Sequence, residues 1–371
     1  MPIYMDRHDV SHEVTAEIVA QLHQRDLKVQ DRFQCRGLTY WFDEKRKAAF
    51  CLVEAPSKKA IQQMHQFAHG DVPARIIEVD PKVVEAFLGR IEDPRKPRRA
   101  EINVIDDSAF RTVVAVALKP LRHAGPAASL RTSQAGYRDI IIENLHCFRG
   151  NVVRRGEGTV LASFKSVSRA VQASLEIARS LSGLKAAAGG VTMVPKIGVA
   201  AGAPVTKRKL LFEETVKLAE RMCMAVKGSV IVSSEVKTLY ETENPEPVPD
   251  DIGVVALMKR DENFLTQLLD CIESSCCDAG LKMDDLSRRL GYSKSQLYRE
   301  MISLTGISPQ AFINQYRLTE ALKLIRTHRG NISEVAYQTG FTSPSYFSKC
   351  FRKMYGYSPS EAFLSSGGFR G

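Results

Sequence analysis

The sequence predicts a multidomain protein: an α+β block first, a mixed α/β block in the middle and an all-α block last. Three observations predict it: two proline-rich charged seams, a change of hydrophobic periodicity across each seam, and an internal repeat near the C-terminus. The seams are Glu92-Asp-Pro-Arg-Lys-Pro-Arg-Arg99 and Glu241-Thr-Glu-Asn-Pro-Glu-Pro-Val-Pro-Asp250, whose prolines remove backbone donors and suit neither helix nor central strand. They delimit blocks of about 1–93, 100–240 and 262–371, each long enough to form a core.

Composition narrows the class. Across 371 residues, 44% hydrophobic and 25% charged is a globular balance that excludes fibrous and wholly disordered chains. Fifty-two Lys+Arg against 42 Asp+Glu leave a net charge of +10, which suits a polyanionic partner without separating nucleic acid from an anionic membrane surface. The eight cysteines form no CxxC pair, and the adjacent Cys276 and Cys277 suit neither a routine disulfide nor paired zinc ligation. Asp6, Arg7, His8 and Asp9 interrupt any N-terminal leader, and no apolar run approaches the ~20 residues that span a bilayer. The expectation is a cytoplasmic protein with reduced thiols and no membrane partner.

In the first block, Ile3–Arg7, Gly37–Phe42, Ala48–Glu54 and Arg75–Val79 read as strands, and Thr15–Phe33 and Ser57–His69 as amphipathic helices. The order β-α-β-β-α-β is the ferredoxin-like pattern, which hosts many functions and decides none. His8 ends the first strand, while His65 and His69 stand four apart on a helix and share a face, so the two imidazoles can close on one metal. Cys35, Cys51 and Glu54 are candidates to complete the ligand set; the plainer alternative is that the helix histidines face solvent or pack. Met1-Pro-Ile-Tyr-Met-Asp-Arg-His-Asp9, Leu38-Thr-Tyr-Trp-Phe-Asp43, Phe50-Cys-Leu-Val-Glu-Ala-Pro56, Met64-His-x-x-x-His69-Gly70 and Ile76-Ile-Glu-Val-Asp80 together resemble a family of small ferredoxin-like nickel-binding proteins. The resemblance covers about 1–93. It implies either a metal-binding sensor, with nickel the first choice on ligand type, or a metal-free binding module; it does not fix the ligands, for which the residues themselves offer His8, Cys35, His65 and His69 as candidates.

The middle block mixes strands at Val152–Arg154, Val160–Phe164, Lys196–Val199 and Ser229–Val232 with helices at Ser166–Leu181 and Phe212–Met224. Phe148–Phe164, Lys196-Ile-Gly-Val-Ala-Ala-Gly202, Lys217-Leu-Ala-Glu-Arg221 and Gly228-Ser-Val-Ile-Val-Ser233, in that order, resemble class III nucleotidyl cyclases. Such enzymes seat two metal ions on two aspartates, because a transferring phosphoryl group needs its charge neutralised. Here the opening strand Arg111-Thr-Val-Val-Ala-Val-Ala-Leu118 carries no acid, and the second position falls on Gly158, beside Glu157. The family's Asn-x-x-x-Arg pair becomes Lys217-x-x-x-Arg221. The resemblance therefore implies a degenerate cyclase-like domain with no catalytic residues. Such a domain either pairs two chains, the preferred reading, or holds a nucleotide effector through Arg154, Arg155, Lys217 and Arg221.

The last block repeats itself. Ser295-Gln-Leu-Tyr-Arg…Gly306-Ile-Ser-Pro-Gln-Ala-Phe312 recurs as Ser345-Tyr-Phe-Ser-Lys…Gly356-Tyr-Ser-Pro-Ser-Glu-Ala-Phe363, and Leu286-Ser-Arg-Arg-Leu-Gly-Tyr as Val335-Ala-Tyr-Gln-Thr-Gly-Phe. Each copy has a short helix closed by a glycine, an aromatic under the turn and a Ser or Thr that caps the next helix, which is helix-turn-helix grammar. With Leu297 and Met301 inward, Ser295, Gln296, Tyr298 and Arg299 face out; with Phe347 and Phe351 inward, Ser345, Tyr346, Ser348 and Lys349 do so. Gln and Arg read adenine and guanine edges bidentately, whereas Arg288, Arg352 and Lys353 suit phosphates. Pro309–Thr327 reads as a long helix joining the copies and fixing their spacing. From Gly280 onward, 13 Lys+Arg face 6 Asp+Glu, giving seven of the chain's ten net positive charges. The block resembles the AraC-type transcription-regulator domain along its full length, through Arg317-Leu-x-x-Ala321, Ile332-Ser-Glu-Val-Ala336, Gly340-Phe341, Ser345-Tyr-Phe-Ser348 and Gly356-Tyr-Ser-Pro359.

That resemblance implies a bacterial one-component regulator that binds double-stranded DNA as a homodimer under a metal or nucleotide effector. The rival readings are an active cyclase fused to a DNA-binding domain and a metal-buffering protein.

Overall fold

A computed structural model describes residues 1–95, 102–120, 127–155, 159–182, 192–244 and 254–366. Parts of both seams, and Glu157 and Gly158, lie outside the described residues.

The first block is a four-stranded antiparallel sheet under two helices. Its elements are β1 (Ile3–Asp9), α1 (Ala16–Val29, continued by a 3-10 turn at Gln30–Phe33), β2 (Arg36–Asp43), β3 (Ala48–Glu54), α2 (Lys58–Ala68) and β4 (Arg75–Val79), with strand order β2-β3-β1-β4. Alternation along β1 sends Met5 to one face and Tyr4, Asp6 and His8 to the other. Met5, Trp41, Phe50, Leu52 and Ile77 belong to a core continued by α3 (Pro81–Leu88), an element the sequence reading did not include. Tyr4, Val53, Ile61 and Met64 pack under the helices.

The middle block contains β5 (Arg111–Pro120), α4 (Ala127–Cys147), β6 (Asn151–Arg155), β7 (Thr159–Phe164), α5 (Val167–Ser182), β8 (Met193–Gly202), α6 (Glu213–Ala225), β9 (Val230–Val232), α7 (Ser234–Glu243) and β10 (Val254–Ala256). Its sheet runs β10-β9-β8-β5-β7-β6, antiparallel from β8 to β6 and parallel from β8 to β10. The segment β8-β5-β7-β6 repeats the order of the first sheet, extended at one edge by two parallel strands. α5 covers one face with Ala170, Val171, Ile177 and Ala178. α6 lies so close on β8 that a Cβ on Gly198 would sit 2.1 Å from the Ala219 carbonyl oxygen.

The rest is helical: α8 (Lys259–Ser275), α9 (Met283–Leu290), α10 (Lys294–Thr305), α11 (Pro309–Arg326), α12 (Ile332–Gln338), α13 (Pro344–Tyr355) and α14 (Pro359–Ser366). The largest apolar core does not respect the seams. It runs from Trp41 and Phe50 through Phe87, Phe212 and Met222 to Leu265, Leu269, Leu286, Leu297 and Met301. Phe87 and Phe212 stack with ring centroids 4.8 Å apart. Buried Arg111 opens β5 and donates to the carbonyls of Phe87 and Leu88 at 3.2 Å each. Among the described residues, no helix is long and apolar enough to cross a membrane.

Candidate functional site

β1, α1 and the end of α2 place Asp6, His8, Asp26, His65 and His69 in one row, with exposed Asp71 beyond α2 at its end. Asp6 is fully buried and takes the Cys51 backbone N–H at 3.0 Å. His65 lies between two carboxylates, Nε2 3.0 Å from Asp6 and Nδ1 3.1 Å from Asp26. His69 Nε2 is 3.3 Å from Asp26, and its Nδ1 accepts the Asp71 backbone N–H at 3.2 Å. His8 sits with Nε2 3.5 Å from Asp6 and Nδ1 3.5 Å from Asp71, near enough to pair as charges, yet neither buried nitrogen has a hydrogen-bond partner among the described residues.

Burial alone would push His8 and His65 toward the neutral form. The carboxylates outweigh it and raise His8 to about 9 and His65 to about 10. Burial would likewise raise Asp6 and Asp26, and the imidazoles hold both below the usual carboxylate range. Burial, then Asp6 and Asp26, lift the Cys51 thiol well above its ordinary value. At neutral pH His8 and His65 are therefore imidazolium beside the carboxylates of Asp6 and Asp26.

The same atoms could hold a metal ion. Asp6, His8 and Cys51 each offer one donor atom, all within 4.8 Å of one another, and Asp26, His65 and His69 do the same. Imidazole nitrogen with carboxylate oxygen suits nickel, zinc or copper. The unsatisfied nitrogens of His8 are the observation that fits a metal, since buried polar atoms otherwise find partners. Bound metal needs neutral imidazole, so its uptake must expel the protons that the carboxylates hold there.

The structure thus brings His8, His65 and His69 together and adds Cys51. It leaves Cys35 outside, buried among apolar residues with its thiol donating to the Phe33 carbonyl at 3.5 Å. Glu54 ends the interior strand β3, beside Arg36 and the N-terminal amine. The sequence reading missed Asp6, Asp26 and Asp71. Asp6 was findable, two residues before His8 on one strand and therefore on the same face; Asp26 and Asp71 arrive only through the tertiary fold.

In the last block, Gly291, Gly306, Gly340 and Gly356, the turn residues of the repeat, all adopt left-handed φ values of 72 to 83°. Ser293 caps α10 by accepting the Gln296 N–H at 3.2 Å, and Ser343 caps α13 by accepting the Tyr346 N–H at 3.3 Å. These caps stabilise by roughly 1 kcal/mol each and orient the first turn of each helix. Leu297, Met301, Phe347 and Phe351 are fully buried. Ser295, Gln296, Tyr298 and Arg299 are exposed, as are Ser345, Tyr346, Lys349, Arg352 and Lys353, with Ser348 half-buried. Two of these side chains are already engaged: Gln296 Oε1 accepts the Ser293 N–H at 3.1 Å, and Tyr346 Oη accepts from Asn314 at 3.4 Å. Exposed Arg288 stands 3.9 Å from Asp285.

α11 buries Phe312 and Ala321 as its pattern predicts, and also Arg317. Arg317 donates through Nε to the Cys276 carbonyl at 2.9 Å and through Nη2 to the Asp278 carbonyl at 2.6 Å, tying the joining helix to the end of α8. Gly340 closes the same joint, where a Cβ would lie 2.4 Å from the Cys276 oxygen.

The middle-block cations are occupied. Arg221 donates to Asp270 and to Glu273 (2.5 and 2.9 Å) on α8, Lys217 pairs with Glu213 at 3.2 Å, and Arg154 pairs with Glu220. Arg155 is exposed. Three of the four residues expected to hold a nucleotide therefore already face acids of this chain.

Comparison with known proteins matches residues 286–364 to a family described as a helix-turn-helix domain and residues 4–79 to one described as nickel responsive protein SCO4226-like. A "Histidine kinase P4" of Formosa agariphila is 34% identical over 113 residues, covering 30% of this chain and 8% of that protein. The "HTH-type transcriptional activator RhaS" of Escherichia fergusonii is 30% identical over 109 residues, covering 29% of this chain and 39% of that protein. The chain thus spans less than two fifths of the length of these curated relatives. The crystal structure of SCO4226 from Streptomyces coelicolor A3(2) is 34% identical over 21% of this chain and 94% of that one, with a TM-score of 0.20. Residues 286–364 are therefore similar to AraC-type helix-turn-helix domains, and residues 4–79 to the SCO4226-like family.

Proposed function

We propose that this protein is a non-enzymatic, cytoplasmic transcription regulator that reads double-stranded DNA through α10 and α13 and senses a transition metal, nickel first, in its N-terminal block. The observation that carries this reading is the doubled helix-turn-helix, in which matched glycines and serine caps leave one exposed polar face on each second helix. Three functional units are proposed, at 1–93, 100–240 and 262–371. Asp6, His8, Cys51, Asp26, His65 and His69 are the proposed metal donors. Cys35, an earlier candidate, faces a carbonyl instead.

The middle unit is proposed as a degenerate cyclase-like domain. The strand order β8-β5-β7-β6 and the acid-free strand β5 support this. Its role is to pair two chains, and the acids already facing Arg154, Lys217 and Arg221 weigh against a nucleotide effector there. Selection of bound DNA from a random pool, with and without nickel and nucleotides, tests the whole reading. The expected result is a paired recognition sequence whose recovery changes with nickel; a pool that stays random refutes it.

A further inference from the structure

α8 ends in two adjacent cysteines that the metal and DNA readings leave unused. Cys276 is the C-cap residue of α8, and its Sγ lies 3.8 Å from that of Cys277. Cys276 is 8% exposed, whereas Cys277 is exposed, so the pair has one anchored thiol and one that reagents reach. Burial, then contact with Cys277, lifts the Cys276 thiol to about 11. The Cys276 carbonyl is the one that Arg317 grips, so the thiols stand at the joint between α8 and the helix that links the two helix-turn-helix units.

The sulfur separation selects the chemistry. A disulfide would need the atoms to close from 3.8 Å to roughly 2.05 Å within one dipeptide, well short of ordinary disulfide spacing. One bridging atom needs little movement: with two thiolate bonds of about 2.3 Å meeting at the less-than-tetrahedral angle of a pyramidal three-coordinate centre, the sulfurs close by only about 0.3 Å from 3.8 Å. A linear two-coordinate ion would hold the sulfurs farther apart. An acceptor of two thiolates at a bent angle matches both the geometry and the ligand count.

The geometry points to Cys276 and Cys277 as a dithiol site for a monosubstituted trivalent arsenical. The step is a condensation without redox change: an organoarsonous acid, R–As(OH)2, loses both hydroxyls, each thiol loses its proton, two As–S bonds form and two waters leave. This site stands on the thiols alone and does not depend on the metal or DNA reading.

The test is intact-mass measurement of the full-length reduced chain after phenylarsine oxide treatment in excess glutathione, which strips single-thiol adducts but competes poorly with a two-thiol chelate. Cys277 is exposed, so Cys277→Ser leaves the packing in place; Cys276→Ser is the second variant. Wild type should retain one more arsenical per chain than either variant, and a small dithiol should remove it. Equal retention by wild type and both variants overturns the assignment.

Discussion

The N-terminal sheet and the C-terminal repeat place their polar side chains in opposite ways. Around Asp6 the charged groups are buried and face one another, His65 reaching Asp6 across 59 residues of sequence. On α10 and α13 the candidate contacts are mostly exposed, on helices whose starts are set by a serine three residues away from its bonded amide. The difference follows from what each would recognise. A small cation is held by donors gathered and dried in advance, whereas a duplex is a large surface that projecting side chains must reach. Changes in the first region should therefore cost folding stability, and changes in the second should cost binding with the fold intact.

The largest effect is expected for Asp6→Ala, which leaves His8 and His65 buried without their shared carboxylate. Removing one member of a buried charged pair costs about 3–5 kcal/mol. Urea unfolding of the metal-free chain, read with hydrogen exchange over 3–9, measures it. A loss below about 1 kcal/mol would mean the cluster is hydrated, and the contrast with the C-terminal block would fail.

Next comes pH. The native values of His8 and His65, about 9 and about 10, lie above the ordinary 6.5, so the native state holds protons that the unfolded chain releases first. Their contribution is complete below pH 6.5 and fades as pH rises through 9 to 10. Asp6 and Asp26, lowered, act with the opposite sign and lose their contribution only in acid. The metal-free N-terminal block should thus weaken steadily from neutral to pH 10 in thermal unfolding. Unchanged stability over that range would show that the imidazoles are neutral in the native state.

The same contrast explains what could be read from sequence. The C-terminal grammar is local: glycine, aromatic and cap fall within a few residues, so Gly291, Ser293, Leu297 and Tyr298 declare their roles in order, and a second copy repeats them. The β-α-β-β-α-β pattern was equally legible from periodicity. The His–Asp cluster was legible where periodicity reached, giving His65 with His69 and His8 at the end of its strand. Cys35 looked equivalent to Cys51, but it precedes β2 and turns its thiol back to Phe33, whereas Cys51 on β3 lies beside Asp6. The shared core was hidden for the same reason: Phe87 and Phe212 lie on separate elements, and no local pattern announces that they stack.

Arg317 tests whether the second helix-turn-helix is independent of the body that holds the first. Leu297 and Met301 belong to the core shared with the middle block, while Phe347 and Phe351 belong to a separate core with Leu318, Ala321 and Ile325. Arg317→Met leaves the Cys276 and Asp278 carbonyls without their donor, at roughly 1–3 kcal/mol for a buried unsatisfied group. Hydrogen exchange should quicken across α11 and α12 while α10 keeps its protection. Equal loss in α10 would mean that the two units unfold as one.

The smallest effects on the fold, and the sharpest on recognition, belong to Arg299 and Arg352, both exposed. Neither is packed, so either alanine substitution should leave the unfolding midpoint within about 0.5 kcal/mol of wild type. Their binding signatures should differ. Arg299 lies in the first half of α10, where a recognition helix meets base edges, so Arg299→Ala should weaken the preferred sequence by about 1–3 kcal/mol and relax base choice beneath it. Arg352 sits in the last turn of α13, where a cation meets phosphate, so Arg352→Ala should weaken all sequences alike and reduce the salt slope by about one. Binding isotherms on matched and scrambled duplexes at several salt concentrations separate the two. A uniform loss for Arg299→Ala would make it a second phosphate contact and shift base reading on α10 to Gln296 and Tyr298, of which Gln296 would first have to release the Ser293 amide.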